Sequence, residues 1–483
     1  MPELPHPELA ELTLAELSRS SARVLVERHM ARIAALNPKL RAVIELNPDA
    51  LEIADRLDAE PTKRGPLHGI PVLVKDNIDT GDRMLTTAGS LAMTGAPAPA
   101  DAPLVARLRE AGAVIIGKAN LSEWANFRSS RSASGWSGRG RQTRNPYVLD
   151  RTPCGSSSGS AAAVAAGLAP LAVGTETDGS IVCPSSACGV VGIKPTLHLI
   201  SQQGIIPIAA SQDSAGPHAR TVRDAATLLG ALTEQPHDFT QYCDPEGLRG
   251  ARIGVLRKPY AGYSEHADRL YEAALDLMRG AGAELIDPVV IATTEEMQTS
   301  GAELAVLEHE FKAGLDAYLK TRNGLEVHSL LDLVAWNRDH ADEEMPYFGQ
   351  ERFESAVETE GLESDKYVTA AAKARELSRE KGIDAVLSEH RLDALVAPTR
   401  SPAWVIDALN GDRALGGSSQ PSAMAGYPII NVPMGLAFEA LPVGLSIFGA
   451  AHSEPTLLRI AAGLEAVLPR TPPPSYLHRL ELP

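Results

Sequence analysis

A run of glycine and serine opens a helix in the first third of the chain. Cys154-Gly-Ser-Ser-Ser-Gly-Ser160 leads into the alanine-rich residues 161–168. Such a loop can cradle a phosphate with its free N–H groups, although no Gly-Lys-Ser or Gly-Lys-Thr follows, as a nucleotide P-loop requires. Gly155, Ser157 and Gly159 also match the Gly-x-Ser-x-Gly of a nucleophile elbow, but the charged, proline-ended residues before them do not form the strand that an elbow needs. The third alternative is a serine-rich helix cap of purely structural use.

A second loop carries a better candidate nucleophile. Gly174-Thr-Glu-Thr-Asp-Gly-Ser180 follows an apolar strand predicted at 171–173, which places Ser180 shortly after a strand end. Consecutive backbone N–H groups in such a loop can receive an oxyanion. A hydroxyl is a weak nucleophile until a base takes its proton, and His198 and His218 lie in separate segments.

Lys75 is the candidate base. It ends the apolar run Ile70-Pro-Val-Leu-Val74, which is typical of a buried strand. Burial disfavours the charged form of a lysine, so its pKa can fall until the amine accepts a proton. For a lysine at a strand end taken by itself, a solvated surface charge is the common alternative.

Together these segments resemble the amidase signature family of Ser–Ser–Lys hydrolases. The resemblance covers nearly the whole chain and includes Gly69-Ile-Pro-Val-Leu-Val-Lys-Asp-Asn77, residues 155–163, Gly174-Thr-Glu-Thr-Asp-Gly-Ser-Ile-Val-Cys-Pro184, Gly189-Val-Val-Gly-Ile-Lys-Pro-Thr196, and Gly426-Tyr-Pro with Val432-Pro-Met-Gly435. Bacterial peptide amidases share the further runs Ser122-Glu-Trp-Ala-Asn-Phe127 and Cys154-Gly-Ser-Ser-Ser-Gly.

This resemblance implies a triad in which Lys75 is the base, Ser156 the bridging serine and Ser180 the nucleophile. It also implies a cis peptide bond before Ser156 and an oxyanion hole built from the backbone N–H groups of Thr177, Asp178, Gly179 and Ser180. The implied reaction is hydrolysis of a carboxamide C–N bond through an acyl-enzyme, with no metal and no cofactor.

Four residues depart from the commonest family motifs, namely Cys154, Ser158, Asp178 and Val182, and the last two bear on the chemistry. Asp178 adds an anion beside the expected oxyanion hole, so we expect its carboxylate to point away from the hole. Val182 replaces an arginine that could anchor a small carboxylate substrate. The expected acyl group is therefore neutral, such as the end of a peptide amide. Esters, aryl amides and carbamates (urethanes) are alternatives, because the same acylation chemistry reaches them.

Two further functions are weighed against amide hydrolysis. A role within a tRNA amidotransferase is disfavoured by Val182, and it needs a partner that supplies the misacylated tRNA. A catalytically silent binding protein on the same fold should have lost Lys75, Ser156 or Ser180, and none of the three is missing.

Substrate contacts are expected from Phe127, Arg128 and Ser129, and more generally from residues 127–137, 290–350 and 403–422. Arginines crowd residues 128–151 among aromatic side chains, a mixture that RNA-binding surfaces also use. The chain is acidic, however, with 61 Asp and Glu against 45 Lys and Arg and a net charge of −16. We therefore expect these arginines to tie a long loop to carbonyl groups and carboxylates, and we expect no nucleic-acid partner.

Alternating helix and strand patterns predict the scaffold. Strands are predicted at 42–46, 70–74, 114–116, 171–173, 252–256, 284–291, 392–396, 428–432 and 443–448. Helices are predicted from residue 22 to a stop at Asn37-Pro38, and at 101–113, 160–168, 264–281, 295–320, 365–390 and 455–467. The alternation indicates an α/β fold, and the resemblance implies a single domain of α/β/α layers with a large mixed central β-sheet. Residues 1–60 are expected to form a helical segment packed on a catalytic core of residues 61–483.

The remaining expectations concern cysteines, location and assembly. Cys154, Cys183, Cys188 and Cys243 are too few for a disulfide framework and lack zinc spacing, so we expect small buried or site-adjacent thiols. The first eight residues show no signal-peptide pattern, and the longest apolar stretch, 161–174, is too short for a membrane span. We expect a cytoplasmic monomer or homodimer that acts on a small-molecule or peptide amide and has no membrane partner.

Overall fold

A mixed β-sheet of 11 strands runs through the computed structural model, which describes residues 4–480. The strand order is β1-β3-β2-β4-β6-β5-β10-β11-β9-β7-β8. The strands are β1 Val43–Leu46, β2 Pro71–Lys75, β3 Val114–Ala119, β4 Leu171–Glu176, β5 Val191–Lys194, β6 Ser214–Ala219, β7 Arg252–Leu256, β8 Glu284–Val289, β9 Ala394–Pro398, β10 Ile429–Ala437 and β11 Leu441–Phe448. The predicted α/β fold with one large mixed sheet is confirmed.

Seventeen α-helices accompany the sheet in the described part of the chain. They are α1 Leu14–Leu17, α2 Ala22–Leu40, α3 Ala50–Asp58, α4 Pro103–Glu110, α5 Ser158–Ala165, α6 Val182–Cys188, α7 Val222–Leu232, α8 Glu265–Gly280, α9 Thr294–Thr299, α10 Ala302–Leu319, α11 Leu330–Asp339, α12 Ala341–Glu344, α13 Glu351–Val357, α14 Asp365–Ser378, α15 Asp384–His390, α16 Gln420–Ala425 and α17 Glu454–Val467. No helix within residues 4–480 is long and apolar enough to cross a membrane. The expectation about a signal peptide rests in part on residues 1–3, which lie outside the described residues.

The strand directions bring the carboxyl ends of three strands, β2, β3 and β4, to the same end of the sheet. β2 pairs in parallel with both β3 and β4, with Val74 opposite Val173 and Lys75 opposite Ala119. Parallel neighbouring strands have their carboxyl ends at the same end of the sheet, so residues at the carboxyl ends of β2 and β4 meet there. This arrangement places Lys75 beside the residues that end β4.

The two strands β5 and β6 were absent from the predicted strands. β6 reads Ser-Ala-Gly-Pro-His-Ala, and proline and glycine normally argue against a central strand. It is nevertheless paired on both sides, antiparallel to β4 and β5. At Gly216 a Cβ atom would lie 2.0 Å from the carbonyl oxygen of Ile193, so close backbone approach requires glycine there.

Several helix ends also differ from the prediction. α2 continues past the expected stop to Leu40, with Pro38 in its last turn, so the proline removes one backbone donor without ending the helix. The predicted helix 295–320 is two helices, separated at Gly301 with φ +68°. The predicted helix 365–390 is interrupted by a π-turn at Arg379–Ile383 around Gly382.

Small residues allow α5 to lie inside the molecule. All eight of its residues are buried, and its side chains are serine, alanine and valine with one glycine. A helix that is apolar all round belongs in a core rather than on a surface. The loop that precedes α5 is thereby held in the interior, next to the carboxyl ends of β2 and β4.

Candidate active site

Lys75 lies fully buried at the end of β2. Its Nζ is 2.7 Å from Ser156 Oγ, 2.8 Å from Thr175 Oγ1 and 3.2 Å from the Thr175 carbonyl oxygen. Thr175 is in β4, so the parallel pairing of β2 and β4 brings this partner to the lysine. The solvated alternative for Lys75 is therefore wrong.

The Ser156 loop is fastened to the end of β4 and to the loop that follows it. The Gly155–Ser156 peptide bond is cis, as the family resemblance implied. Ser157 Oγ donates to the Thr175 carbonyl oxygen at 2.9 Å, and the Ser157 N–H donates to the Ser180 carbonyl oxygen at 3.0 Å. The loop that contains Ser156 and Ser157 is thus hydrogen-bonded both to Thr175, which contacts Lys75, and to Ser180.

The loop from Thr177 to Ser180 presents its amide groups to a cavity. Within residues 4–480, the backbone N–H groups of Asp178, Gly179 and Ser180 have no hydrogen-bond acceptor. Glu176 Oε2 supports the loop from behind by accepting from the N–H groups of Ile181 at 2.7 Å and of Val182 at 2.9 Å. Three free amides at a fixed turn next to a serine suit an oxyanion.

The flanking residues of this loop have defined places. Gly179 has φ +77°, in the left-handed region that favours glycine. Burial raises the pKa of the Asp178 carboxyl group, and the nearby side chain of Ser419 opposes this effect. Val182 is fully buried in an apolar cluster.

Burial lowers the pKa of Lys75 to about 7, against the opposing effects of the Asp213 and Glu176 carboxylates. A large fraction of the amine is therefore neutral at neutral pH. The Asp213 carboxylate also accepts hydrogen bonds from the Thr177 hydroxyl at 2.5 Å and from the N–H groups of Ile208 and Ala209 at 2.7 and 3.0 Å. Burial raises the pKa of Asp213 to about 6. This carboxylate thus fastens the loop and raises the pKa of Lys75 against the effect of burial.

A cavity of about 210 Å³ opens in front of Ser180. It is lined by Ala125, Asn126, Phe127, Ser134, Cys154, Gly155, residues 177–180, Cys183, Ile208, Leu307, Arg400 and Asp412. Phe127, Leu307 and Asp412 lie in the stretches expected to contact substrate, which are 127–137, the helices of 290–350 and 403–422. Ala125, Asn126, Ile208 and Arg400 line the cavity from outside those stretches. Arg400 follows the end of β9, and its position after a strand end is a signal that could have identified it.

Of the three predicted substrate-binding residues, Phe127 lines the cavity and the other two do not. Arg128 is fully buried, with its Nε 2.7 Å from Glu123 Oε2 and its guanidinium 4.4 Å from the centre of the Phe348 ring. Ser129 donates to Glu351 at 2.8 Å. Both residues fasten the long loop to the helical part of the molecule.

Other arginines of the same loop do the same. Arg139 pairs with Glu45 and, at 3.3 Å, with Asp76, while Arg144 donates to the Leu149 carbonyl oxygen at 3.4 Å. These contacts are of the kind expected for a loop tied to carboxylates and carbonyl groups.

The expectation of free thiols is wrong for two of the four cysteines. Cys154 and Cys183 form a disulfide, with their Cα atoms 5.9 Å apart and 29 residues of sequence separation. Cys188 and Cys243 are free and buried. The pairing depends on α6 packing beside the loop before α5, and sequence spacing does not reveal that contact.

The described residues hold no candidate metal cluster, and the two cavities larger than that of Ser180 are lined by other parts of the chain. Among residues 4–480, no three His, Cys, Asp or Glu side chains form a group that could hold a metal ion. A larger cavity of about 660 Å³ lies between residues 8–16 and 465–474, but its arginines bind main-chain carbonyls, as Arg470 does with Glu11 at 2.9 Å. That cavity is a seam between the two ends of the chain.

Comparison with known proteins places these motifs in a family. The family described as Amidase matches residues 24–458. A probable amidase of Arabidopsis thaliana is 44% identical over 480 residues, which cover 94% of this chain and 88% of that protein. A glutamyl-tRNA(Gln) amidotransferase component of Anaeromyxobacter dehalogenans is 35% identical over 500 residues, with 97% and 99% covered.

Solved structures repeat the whole fold. The structure of native peptide amidase from Stenotrophomonas maltophilia is similar with a TM-score of 0.92 at 48% sequence identity. The match covers 98% of this chain and 100% of that one. The likeness therefore extends from the sheet to the helices around the cavity.

Proposed function

This chain belongs to the amidase family and is an amide-hydrolysing enzyme, and on this basis we propose that it removes the carboxamide from the C-terminus of peptides through an acyl-enzyme on Ser180. The observation that carries the mechanism is the buried contact of 2.7 Å between Lys75 Nζ and Ser156 Oγ. Because the pKa of Lys75 is about 7, the amine is available as a base without raising the pH.

In the proposed acylation, neutral Lys75 takes the proton of Ser156 while Ser156 takes the proton of Ser180. Ser180 Oγ then attacks the carbonyl carbon, and the carbonyl oxygen becomes an oxyanion that the free amides of the 177–180 loop receive. As the C–N bond breaks, the proton returns through Ser156 to the nitrogen and ammonia leaves. Water hydrolyses the resulting ester by the same route, which frees the acid and regenerates Ser180.

A neutral acyl group is favoured by the lining of the cavity. Val182 has an uncharged side chain buried in an apolar cluster, and Phe127, Ile208 and Leu307 supply apolar surface in the cavity that Ser180 also lines. The peptide amidase of Stenotrophomonas maltophilia, at 48% identity, points to the same substrate class. Carbamates, aryl amides and esters are alternatives for the same triad. The amidotransferase alternative has a relative at 35% identity in its favour.

The test is ammonia release from an amide such as N-acetyl-leucinamide by wild-type protein and by Ser180→Ala. We expect Ser180→Ala to lose a factor on the order of 10⁴ to 10⁶ in kcat while its melting temperature stays within a few degrees of wild type. Ser388→Ala, on an exposed turn of α15, is the matched control and should keep full activity. A folded Ser180→Ala with wild-type turnover would refute the assignment.

Two further measurements separate the alternatives. Mass spectrometry after reaction with a serine-directed acylating or phosphonylating probe should locate the adduct on Ser180. A panel of peptide amides, p-nitroanilides and carbamates, assayed without any tRNA or partner protein, ranks the substrate classes. Strong preference for carbamates would replace the peptide-amide proposal, and glutamine hydrolysis only with a partner present would favour an amidotransferase.

A further inference from the structure

Arg400 lines the cavity of Ser180, and its guanidinium has no hydrogen-bond or ion-pair partner among residues 4–480. It lies two residues beyond the end of β9, and its backbone forms an isolated bridge with Gly417. Within residues 4–480 the guanidinium makes no hydrogen bond and has no carboxylate within 4.0 Å, and Nε is buried. The arginines near the cavity behave differently, since Arg128 and Arg139 are both paired with carboxylates.

The surrounding loop holds Arg400 in place without using its hydrogen-bond donors. The guanidinium carbon lies 5.7 Å from the centre of the Trp404 ring, in reach of a cation–π interaction. Trp404 Nε1 donates to Asp412 Oδ1 at 3.1 Å, and Ser134 donates to Asp412 through both N–H and Oγ, at 3.1 and 2.5 Å. The aromatic ring, itself fastened to Asp412, thereby holds the guanidinium where Arg400 lines the cavity.

The charge around Arg400 indicates a neutral acceptor. Asp178 and Asp412 line the same cavity and interact electrostatically with the guanidinium, which favours their charged forms, while burial raises the pKa of both. A substrate carboxylate would meet these two carboxylates as well as the guanidinium. A peptide carbonyl oxygen accepts hydrogen bonds from a guanidinium and brings no net charge.

We propose that Arg400 determines acyl specificity by donating to the carbonyl oxygen of the peptide unit that precedes the scissile amide. The inference rests on the proposed function and deepens it. It identifies the preferred substrate as an N-acylated amino-acid amide rather than a simple alkanoic amide. Arg400 acts in substrate binding, so its loss should appear mainly in KM.

The experiment compares two amides with the same side chain. N-acetyl-leucinamide carries the preceding carbonyl, and isocaproamide lacks the whole acylamino group. For Arg400→Gln we expect kcat/KM on N-acetyl-leucinamide to fall about 10- to 100-fold, chiefly through KM, and kcat/KM on isocaproamide to stay within about twofold. Arg400→Lys, which keeps one charged donor, should lie between wild type and Arg400→Gln and serves if the glutamine variant does not fold. Arg413→Gln, exposed in the same loop, is the matched control and should match wild type on both amides.

Three results would overturn the inference while leaving the proposed function intact. They are equal losses on both amides, no loss on either, and a loss that is largest for an amide bearing an acyl-side carboxylate, such as succinamate. Wild-type protein that hydrolyses neither amide would overturn the proposed function and this inference with it.

Discussion

At the scale of single residues, the proposed mechanism depends on Lys75, a lysine that is neutral although carboxylates lie near it. Burial removes water from Lys75 and lowers its pKa, whereas Asp213 and Glu176 hold it from falling further. His218, also buried, is kept neutral because burial and the nearby lysine lower its pKa to about 3. The pKa of Lys75 is therefore near neutrality because burial lowers it while the two carboxylates raise it.

This balance predicts the pH dependence of the reaction. Lys75 must lose its proton before it can act, so kcat/KM should be low in acid and rise with pH through a midpoint near 7. Asp213→Asn removes a negative charge that favours the protonated lysine, so the midpoint should move to lower pH, on the order of one unit. The measurement is kcat/KM for N-acetyl-leucinamide between acid and alkaline pH.

The matched control is Glu389→Gln, an exposed carboxylate in α15, which should leave the midpoint unchanged. A wild-type midpoint near the ordinary lysine value, or a shift of Asp213→Asn to higher pH, would contradict the role given to Lys75.

At the scale of elements, the site is a meeting of two loops at the ends of parallel strands. The loop after β4 turns sharply at Gly179. The carbonyl oxygen of Gly179 accepts a hydrogen bond from the Cys183 N–H at 2.8 Å, where α6 begins. A Cβ atom on Gly179 would lie 2.9 Å from Ser419 Oγ. Both the positive φ and the lack of space therefore require glycine at this turn.

We expect Gly179→Ala to displace the free amides next to Ser180 and to reduce kcat about 10- to 1,000-fold, the range seen for loss of an oxyanion donor. Stability should fall by about 1–3 kcal/mol, since alanine adopts this φ at a cost. Gly280→Ala in α8 is the control, because nothing lies within 4 Å of its added Cβ. Steady-state kinetics and thermal melting decide the question, and wild-type kcat in Gly179→Ala would exclude these amides as the oxyanion hole.

At the scale of the whole molecule, one sheet and one disulfide join distant parts of the chain. The sheet carries β1 at one edge and β8 at the other, and the site lies at β2 and β4, the third and fourth strands counted from β1. The disulfide between Cys154 and Cys183 closes a loop of 29 residues that contains α5, β4 and Ser180. A cross-link of this length restricts the unfolded chain and stabilises the folded one by about 3.6 kcal/mol.

We therefore expect the melting temperature of wild type to fall by several degrees in a phosphine reductant that penetrates the fold. Cys154→Ser/Cys183→Ser should melt lower and show no response to the reductant. Cys243→Ser removes a free buried thiol and should keep the wild-type response. An unchanged melting temperature, with mass spectrometry showing the bond reduced, would contradict the stabilising role.

Local patterns in the sequence were sufficient for the elements whose residues carry a clear period. β7 was predicted at the residues where it lies, and α8 and α17 were predicted to within one residue at each end. The apolar run before Lys75 indicated its buried strand, and the loop motifs identified Ser156 and Ser180 by resemblance. These features depend on neighbouring residues, so the order of side chains along the chain is enough to reveal them.

Tertiary structure alone decided the features that depend on residues far apart in the chain. β6 has almost no strand pattern and exists because β4 and β5 pair with it from both sides. Arg128 and Arg400 look alike in sequence, yet the first is buried against Glu123 and the second faces the cavity. The pKa of Lys75 likewise follows from burial and from Asp213, a residue of a different loop. The sequence determined which groups could do the chemistry, and the fold decided which of them meet, because burial and distance are properties of packing rather than of order along the chain.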